Sequence, residues 1–489
     1  MNVRWLLRAV VAIATLMCLG TRGAWATDPL HTRNNVPSNA AAPLFAGHAA
    51  CTFGPPGTPL TLQEAIERAL CNNPDTRDAW TVIEERAAAV GISKAAYLPT
   101  LSATGEGVHE DSITRVRDHS ELSSNYSTMV HSGDLSLSWI LYDFGGRRAT
   151  LDNAKALLSA AQANENAVLQ QTFADAAKAY YAAVAAREQL RADEAVVQDA
   201  QNSLVAAQQR SNRGIAPITE VYQAQTAYRQ AQIAQTRDQG QAMTAQGNLA
   251  NVIALSPDTA MTLDGLDDTT QPDETFQRSV SQLMAQAERT HPAIVAAEKE
   301  LDAANAGVTQ AKSQGRPTIK LVAQYSQNNE PVQLGLGLPH YPATGHDGYV
   351  GIQVSVPIFS GFATSYQVRQ ARAQVDQQSV AVDKAKQQVA LQVWTSYQSL
   401  QTDRQNLIYS SEMQSVATQA WESAQRRYRS GIGTILELLS TQTALAQARQ
   451  QRIQALTTWR YDRLALASAL GQLDWNDIDA LKSGASPDG

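Results

Sequence analysis

Metal-binding and catalytic patterns are missing from this chain. Its three cysteines and eight histidines include no H-x₃-H and no C-x₂-C spacing, so no metal site is expected. No nucleophile–base pair or phosphate loop stands out, which leaves neither an enzyme nor a bound cofactor as the expectation. Long hydrophobic runs are also absent: beyond the N-terminus no stretch is apolar for 18 residues, so any entry into a membrane must do without a transmembrane helix. Positive charge is in deficit, with 39 Lys and Arg against 46 Asp and Glu, a net −7. That argues against a nucleic-acid partner and against charge-driven docking on anionic lipid. Proline is missing from two long stretches, 146–213 and 361–430.

What is present begins with an export signal. Arg4 and Arg8 flank an apolar run, Ala9 to Leu19, and Ala24-Trp25-Ala26 forms an A-x-A cleavage site, so residues 1–26 read as a signal peptide. Losing Arg4, Arg8 and Arg22 with no acid takes the net charge from −7 to −10. A competing reading acylates Cys18, but the bulky Met17 before it suits lipoprotein processing badly. Export would place Cys51 and Cys71 in an oxidising compartment, where a bridge would tie the Pro/Gly-rich lead-in, residues 27–59, to the end of the first short helix. The alternative is two free thiols in a mobile, poorly packed arm.

The rest of the chain is written twice. Cys71-Asn72-Asn73-Pro74 and Pro99 recur as Arg289-Thr290-His291-Pro292 and Pro317, a shift of 218. Leu141-Tyr142, Gly214-Ile215, Ile218-Thr219-Glu220-Val221 and Leu249-Ala250 recur as Ile358-Phe359, Gly431-Ile432, Ile435-Leu436-Glu437-Leu438 and Leu466-Ala467, all shifted by 217. An offset held to within one residue over five landmarks means two copies of one architectural unit. We place the first repeat at 60–255, a linker at 256–275, the second repeat at 276–473 and a tail at 474–489.

Each copy reads as a short helix broken at its Asn/His-Pro, a β-hairpin, a very long helix and a return helix. Period-two alternation predicts strands at about 101–109 and 134–142, with a polar loop from Glu110 to Gly133 between them, and at about 318–326 and 349–358. The proline-free stretches predict helices of ~100 Å, far beyond the three-turn norm. Val368, Val375, Val382 and Val389 recur every seven residues, as do Val393, Leu400 and Leu407, and in the first copy Ala154, Ala161 and Val168. That period means coiled-coil packing, and the small knobs suit a wall of helices. Gly214 and Gly431 fit left-handed C′ positions, and Pro217 the first turn of the return helix. Four amphipathic strands cannot close a barrel, and an open edge in lipid is prohibitive, so oligomerisation must supply the rest. Three chains would give twelve strands.

With Leu62-Gln63-Glu64-Ala65, Asn73-Pro74, Leu98-Pro99-Thr100-Leu101, Val356-Pro357-Ile358-Phe359-Ser360-Gly361 and the turns at Gly214 and Gly431, the chain resembles the TolC family of outer-membrane channel-tunnel proteins over about Leu60 to Leu473. The resemblance implies a mixed fold: a homotrimer with a twelve-stranded transmembrane β-barrel, continued by an α-barrel of duplicated coiled-coil helices across the periplasm of a Gram-negative cell. Ala69-Leu70-Cys71-Asn72-Asn73-Pro74 with Thr76-Arg77 and an upstream cysteine is most similar to the type I secretion subgroup, the components that export adenylate-cyclase toxin (cyclolysin) among them.

By the same resemblance, Glu220, Tyr428 and Glu437 fall on positions of the periplasmic gate and its acidic ring. Two positions depart from the family: a gate arginine falls on Gly433 and a second acid on Ser440, leaving Arg426, Arg427 or Arg429 to hold the closed state. The plainer reading of the two glutamates is a solvated first-turn carboxylate facing the helix dipole, and of Tyr428 an aromatic buried near a helix end. Gly214, Pro217, Gly431 and Gly433 mark the tips where an adaptor would dock. Trp139, Tyr142 and Phe359 would form an aromatic belt or pack at the barrel-to-helix junction, which suits the last two better. The implied function is a passive exit duct for type I protein secretion, joined through a periplasmic adaptor to an inner-membrane ABC exporter. The alternatives are a drug or metal efflux duct and, from another class, a periplasmic adaptor. The adaptor would need lipoyl-like and β-barrel domains that the sequence does not offer.

Overall fold

The computed structural model describes residues 28–42, 51–56, 59–266, 279–335 and 338–473. The signal-peptide reading, the second half of the expected linker and the tail lie outside the described residues. The described residues divide into two compact units, one built from Glu84–Leu158 and Glu300–Gln378 with residues 28–36, the other from Pro37–Ile83, Ser159–Lys299 and residues 379–473.

The first unit contains the sheet. Strands β1 (Thr100–Thr114), β2 (Ser124–Tyr142), β3 (Thr318–Asn328) and β6 (Gly345–Ser355) pair antiparallel in that order. A two-residue pair, β4 (Val332–Gln333) with β5 (His340–Tyr341), lies between β3 and β6 in the chain. The register sorts side chains by face. Leu101, Leu137, Ala323 and Val350 stand in one row across all four strands, flanked by Trp139 opposite Leu321 and Leu321 opposite Ile352. The next row is Ser102, Ser136, Gln324 and Tyr349, joined by Ser102 Oγ to Ser136 Oγ at 2.7 Å and by the Tyr349 hydroxyl donating to Gln324 Oε1 at 3.0 Å. The apolar face lies open: Val350 is 73% exposed and Ile352 68%. A sheet that is polar on one face and bare hydrocarbon on the other is a stave of a membrane barrel.

Four strand limits need correction. The expected loop from Glu110 to Gly133 is largely strand: β1 runs on to Thr114 and β2 begins at Ser124, joined through a 3₁₀ turn at Ser120–Leu122. Its few apolar side chains, Ile113, Met129 and Val130, fall on both faces, so no period-two alternation marks the strand. The ladder is held instead by backbone pairing and by cross-strand contacts such as the Tyr126 hydroxyl donating to Glu110 Oε1 at 2.9 Å. The last strand is shifted at both ends: β6 begins at Gly345, opposite Asn328, rather than at 349, and stops at Ser355 rather than 358, because its partner begins at Thr318 and the residue before that is Pro317, which has no N–H to offer. At the junctions to the long helices, Phe144-Gly145 and Gly361-Phe362 each place two successive residues at positive φ. The aromatic rings pack there edge to face, Tyr142 on Phe144 and Phe359 on Phe362, while Trp139 Nε1 donates to Tyr97 O.

The helices occur in two matching sets. Those of the first copy are α1 (Leu62–Asn72), α2 (Pro74–Ala95), α3 (Gly146–Asn212) and α4 (Ile218–Val252). Those of the second are α5 (Val280–Thr290), α6 (Pro292–Ser313), α7 (Ala363–Arg429) and α8 (Ile435–Ala469). Both long helices have 67 residues and both return helices 35. The heptad positions face inward, with Val382, Val389, Val393 and Leu407 all buried. In the second unit each short helix seats on its own copy's long and return helices. Ile66, Ala69 and Leu70 of α1 pack with Leu169, Phe173 and Leu249, and Leu283 and Ala287 of α5 with Val389, Val393 and Leu466.

The lead-in is better packed than its composition implied. Trp80 Nε1 donates to Pro37 O and Arg68 Nη2 to Gly54 O and Pro55 O, and Ala41 is fully buried. Proline leaves carbonyls without helical partners, and the α1 and α2 side chains supply donors for them. Cys51 is bonded to Cys71, 20 residues on. The described part of the linker is also tied down: Leu263 is buried and pairs with Leu60.

Candidate functional site: the helical tips

The site lies where α3 turns into α4 and α7 into α8. Both turns are Schellman motifs built on a left-handed glycine, Gly214 at φ 71° and Gly431 at φ 84°. In the first, Ile215 N donates to Arg210 O and Gly214 N to Ser211 O; in the second, Ile432 N donates to Arg427 O and Gly431 N to Tyr428 O. Pro217 stands one residue earlier than expected, at the N-cap of α4, and caps nothing with its side chain. Its counterpart Thr434 accepts from Glu437 N at 3.2 Å and so satisfies one of the free N–H groups of α8.

The two tips share one small core. Ala207 of α3, Val221 and Ala224 of α4, Tyr428 of α7, and Ile435 and Leu438 of α8 are buried together. Tyr428 is only 1% exposed, yet its hydroxyl donates to Glu220 Oε2 at 3.0 Å. Burial, reinforced by the Glu220 carboxylate, pushes the tyrosine up to about 12, so it stays a donor at any physiological pH. The structure thus brings two of the three expected gate residues into contact. The third, Glu437, lies elsewhere: it meets Arg427 Nε at 3.5 Å in a surface pair whose side chains are 55% and 37% exposed, a geometry that contributes little. Arg426 pairs along its own helix with Glu422. Ser440 Oγ donates back to Glu437 O and so serves its own helix. Gly433 is buried, and a Cβ on it would lie 2.8 Å from Tyr428 N and 3.0 Å from Arg427 C, so this turn has no room for a side chain.

Sequence reasoning missed Arg210. Its Nη1 donates to Tyr428 O at 2.9 Å and its guanidinium carbon lies 4.5 Å from the Tyr428 ring centre. The signal was available, since Arg210 and Arg427 are related by the same 217 shift. Buried aspartates in the two helical hairpins were missed as well. Burial, with Asp403 close by, pushes Asp462 up to about 7, while burial and Asp238 push Asp193 up to about 6. Arg237, 2.6 Å from Asp238, holds that partner carboxylate down.

An open antiparallel sheet with a bare apolar face and duplicated 67-residue helices whose tips pack on each other are the parts of a membrane channel, and the family match places it in the outer membrane. The chain belongs to the family described as "Outer membrane efflux protein", which matches residues 65–255 and 283–472. It is 32% identical over 449 residues to "Protein CyaE" of Bordetella pertussis, covering 90% of this chain and 91% of that protein. It is 24% identical to "Outer membrane protein TolC" of Escherichia coli, covering 91% and 89%. Among solved structures it superposes on the outer membrane protein VceC of Vibrio cholerae with a TM-score of 0.69 at 20% identity, covering 84% of this chain and 96% of that one.

Proposed function

We propose that three copies of this chain close a twelve-stranded barrel and form the exit duct of a type I protein secretion system. The observation that carries the trimer is the sheet itself. β1 and β6 are its edges, and each carries a full row of unpaired backbone groups that lipid cannot satisfy. Only further copies, joined β6 to β1, remove those edges, and a rotation that closes needs no other component. The type I reading leans on the Ala69–Pro74 run with Thr76, Arg77 and Cys51, and on the likeness to the Bordetella protein. The duct would be passive, its work supplied by an inner-membrane ABC exporter through a periplasmic adaptor. The tips at Gly214, Pro217, Gly431 and Gly433 would be the docking surface, and Glu220, Tyr428 and Glu437 the periplasmic gate and its acidic ring.

Cross-linking of the protein extracted from outer membranes should trap a trimer that conducts in planar bilayers; a monomeric, non-conducting product would overturn the assembly. For the cargo, a deletion strain should lose a secreted protein from the medium while its drug and metal tolerance stays unchanged. The reverse pattern would assign the duct to efflux.

A further inference from the structure

We infer that Arg210 is a positioning residue of the gate, clamping Tyr428 in the conformation that hands its hydroxyl to Glu220. This rests on the reading of Glu220 and Tyr428 as gate residues. Three helices meet at the contact: Arg210 lies in the last turn of α3, Tyr428 in the last turn of α7 and Glu220 in the first turn of α4. The arginine acts on Tyr428 at two points. It donates to the backbone carbonyl at 2.9 Å and lies over the ring at 4.5 Å, while the same ring's hydroxyl reaches Glu220 at 3.0 Å. The carbonyl it holds also receives Gly431 N and closes the α7 turn. One side chain therefore fixes both where α7 ends and which way its tyrosine points. The hydroxyl contact holds Tyr428 only at its tip; a planar cation over the ring face, anchored at the backbone carbonyl of the same residue, holds it at the other end as well.

The comparison with its repeat partner separates this role from ordinary packing. Arg427, the same residue one repeat later, pairs with Glu437 of its own hairpin, in the exposed pair described above. Arg210 instead crosses from the first hairpin to the second. A contact that spans hairpins is one that must break when the helices part, so its strength enters the balance between closed and open directly. No residue at position 433 could replace it, since a side chain there would run into the Tyr428 and Arg427 backbone. The choice of arginine is specific as well: lysine would keep the charge and lose the plane that covers the ring.

The test is conductance of the purified, full-length protein in planar bilayers for Tyr428→Phe, Arg210→Ala, Arg210→Lys and the double variant Arg210→Ala/Tyr428→Phe, each cross-linked beforehand to verify assembly. Arg210→Ala should raise open occupancy about tenfold, the worth of one charged hydrogen bond with its ring contact. Arg210→Lys should fall between it and the wild type. The double variant should open no further than the larger single change, because both remove one shared contact. Opening by Tyr428→Phe with wild-type behaviour of Arg210→Ala would overturn the inference and leave the gate standing, as would a fully additive double variant. Wild-type conductance in all four would remove the gate reading and this inference together. Loss of the trimer in Arg210→Ala with wild-type conductance in Arg210→Lys would make the arginine a folding residue and also overturn it.

Discussion

The two tips start from one plan and end with different chemistry. Each closes its long helix with a left-handed glycine and the same pair of backbone bonds, and each presents a glutamate in the first turn of the return helix. In the first copy that glutamate accepts from a buried tyrosine of the other hairpin; in the second it faces solvent beside Arg427. The difference originates at one position, where Ser211 of the first copy becomes Tyr428 in the second. Duplication supplied matching backbones, and substitution of one side chain turned two equal turns into a donor and an acceptor. In the proposed trimer, a wall of six near-equal hairpins would acquire three-fold character by that route.

The largest expected effect tests whether the turns are as different as their glycines suggest. Gly433 of the second tip corresponds to Ala216 of the first, which already carries a side chain. Gly433→Ala would force a Cβ to within 2.8 Å of Tyr428 N, and since the obstacle is backbone it should cost about 1–3 kcal/mol. Ala216→Gly should cost about 0.4–1 kcal/mol, through the unfolded chain. Thermal unfolding followed by the helical circular-dichroism band would compare them, and equal losses would show that the two turns are interchangeable.

Next is the pair of glutamates. Glu220→Gln replaces a charged acceptor by a weaker neutral one and should weaken the Tyr428 contact by ~1 kcal/mol, seen as a several-fold rise in open occupancy. Glu437→Gln should leave occupancy unchanged and alter only block of the channel by multivalent cations, because it loses a screened surface charge. Equal effects on gating would erase the distinction between the tips.

How much of this was legible in the sequence depends on how local the signal is. The helix ends at Asn212 and Arg429 follow from Gly214 and Gly431, because a left-handed residue ends a helix wherever it stands. The apolar strand faces follow from alternation at Leu135, Leu137 and Trp139. The outer half of the first hairpin did not, since between Glu110 and Gly133 the few apolar residues, such as Ile113, Met129 and Val130, fall on both faces and only pairing reveals the segment as strand. Glu220 and Tyr428 were named as gate residues by resemblance, but their contact spans 208 positions and no periodicity announces it. Arg210 was passed over because the end of α3 was read for its glycine. The aspartates stayed hidden because Asp193 meets Asp238, and Asp403 meets Asp462, only once the return helices fix their registers.

Those aspartates give a third contrast, between the hairpins rather than their tips. Asp462 is buried with Asp403 near it and Lys178 as the opposing charge, whereas Asp238, the partner of Asp193, has Arg237 at contact distance. A carboxyl raised from 3.8 to about 7 keeps in the folded state a proton that the unfolded chain has released. Its contribution to stability is therefore most favourable below the unfolded value and declines as pH rises toward 7. Asp462→Asn should flatten the loss of thermal stability between about pH 4 and 7 and raise the unfolding temperature at neutral pH. Asp193→Asn should act over a narrower window ending near 6. A wild-type unfolding temperature that climbs steadily across that range, and is unmoved by either change, would rule out the buried protons.

The smallest effect concerns how each return helix begins. Thr434 caps α8 by accepting from Glu437 N, while Pro217 offers α4 no side-chain acceptor. Thr434→Ala should cost ~1 kcal/mol, the worth of an N-cap. Pro217→Ala should cost about half of that, and by a different route: the ring restricts the unfolded chain and makes no hydrogen bond in the folded one. The two routes separate in hydrogen exchange. Losing the threonine frees the Glu437 amide and should speed its exchange, with the Arg427 pair loosened beside it. Losing the proline should leave the Glu220 amide, which donates to Pro217 O, exchanging at its original rate. If both amides speed up alike, the two helix starts are equivalent, and the asymmetry between the tips reduces to Tyr428 and Arg210.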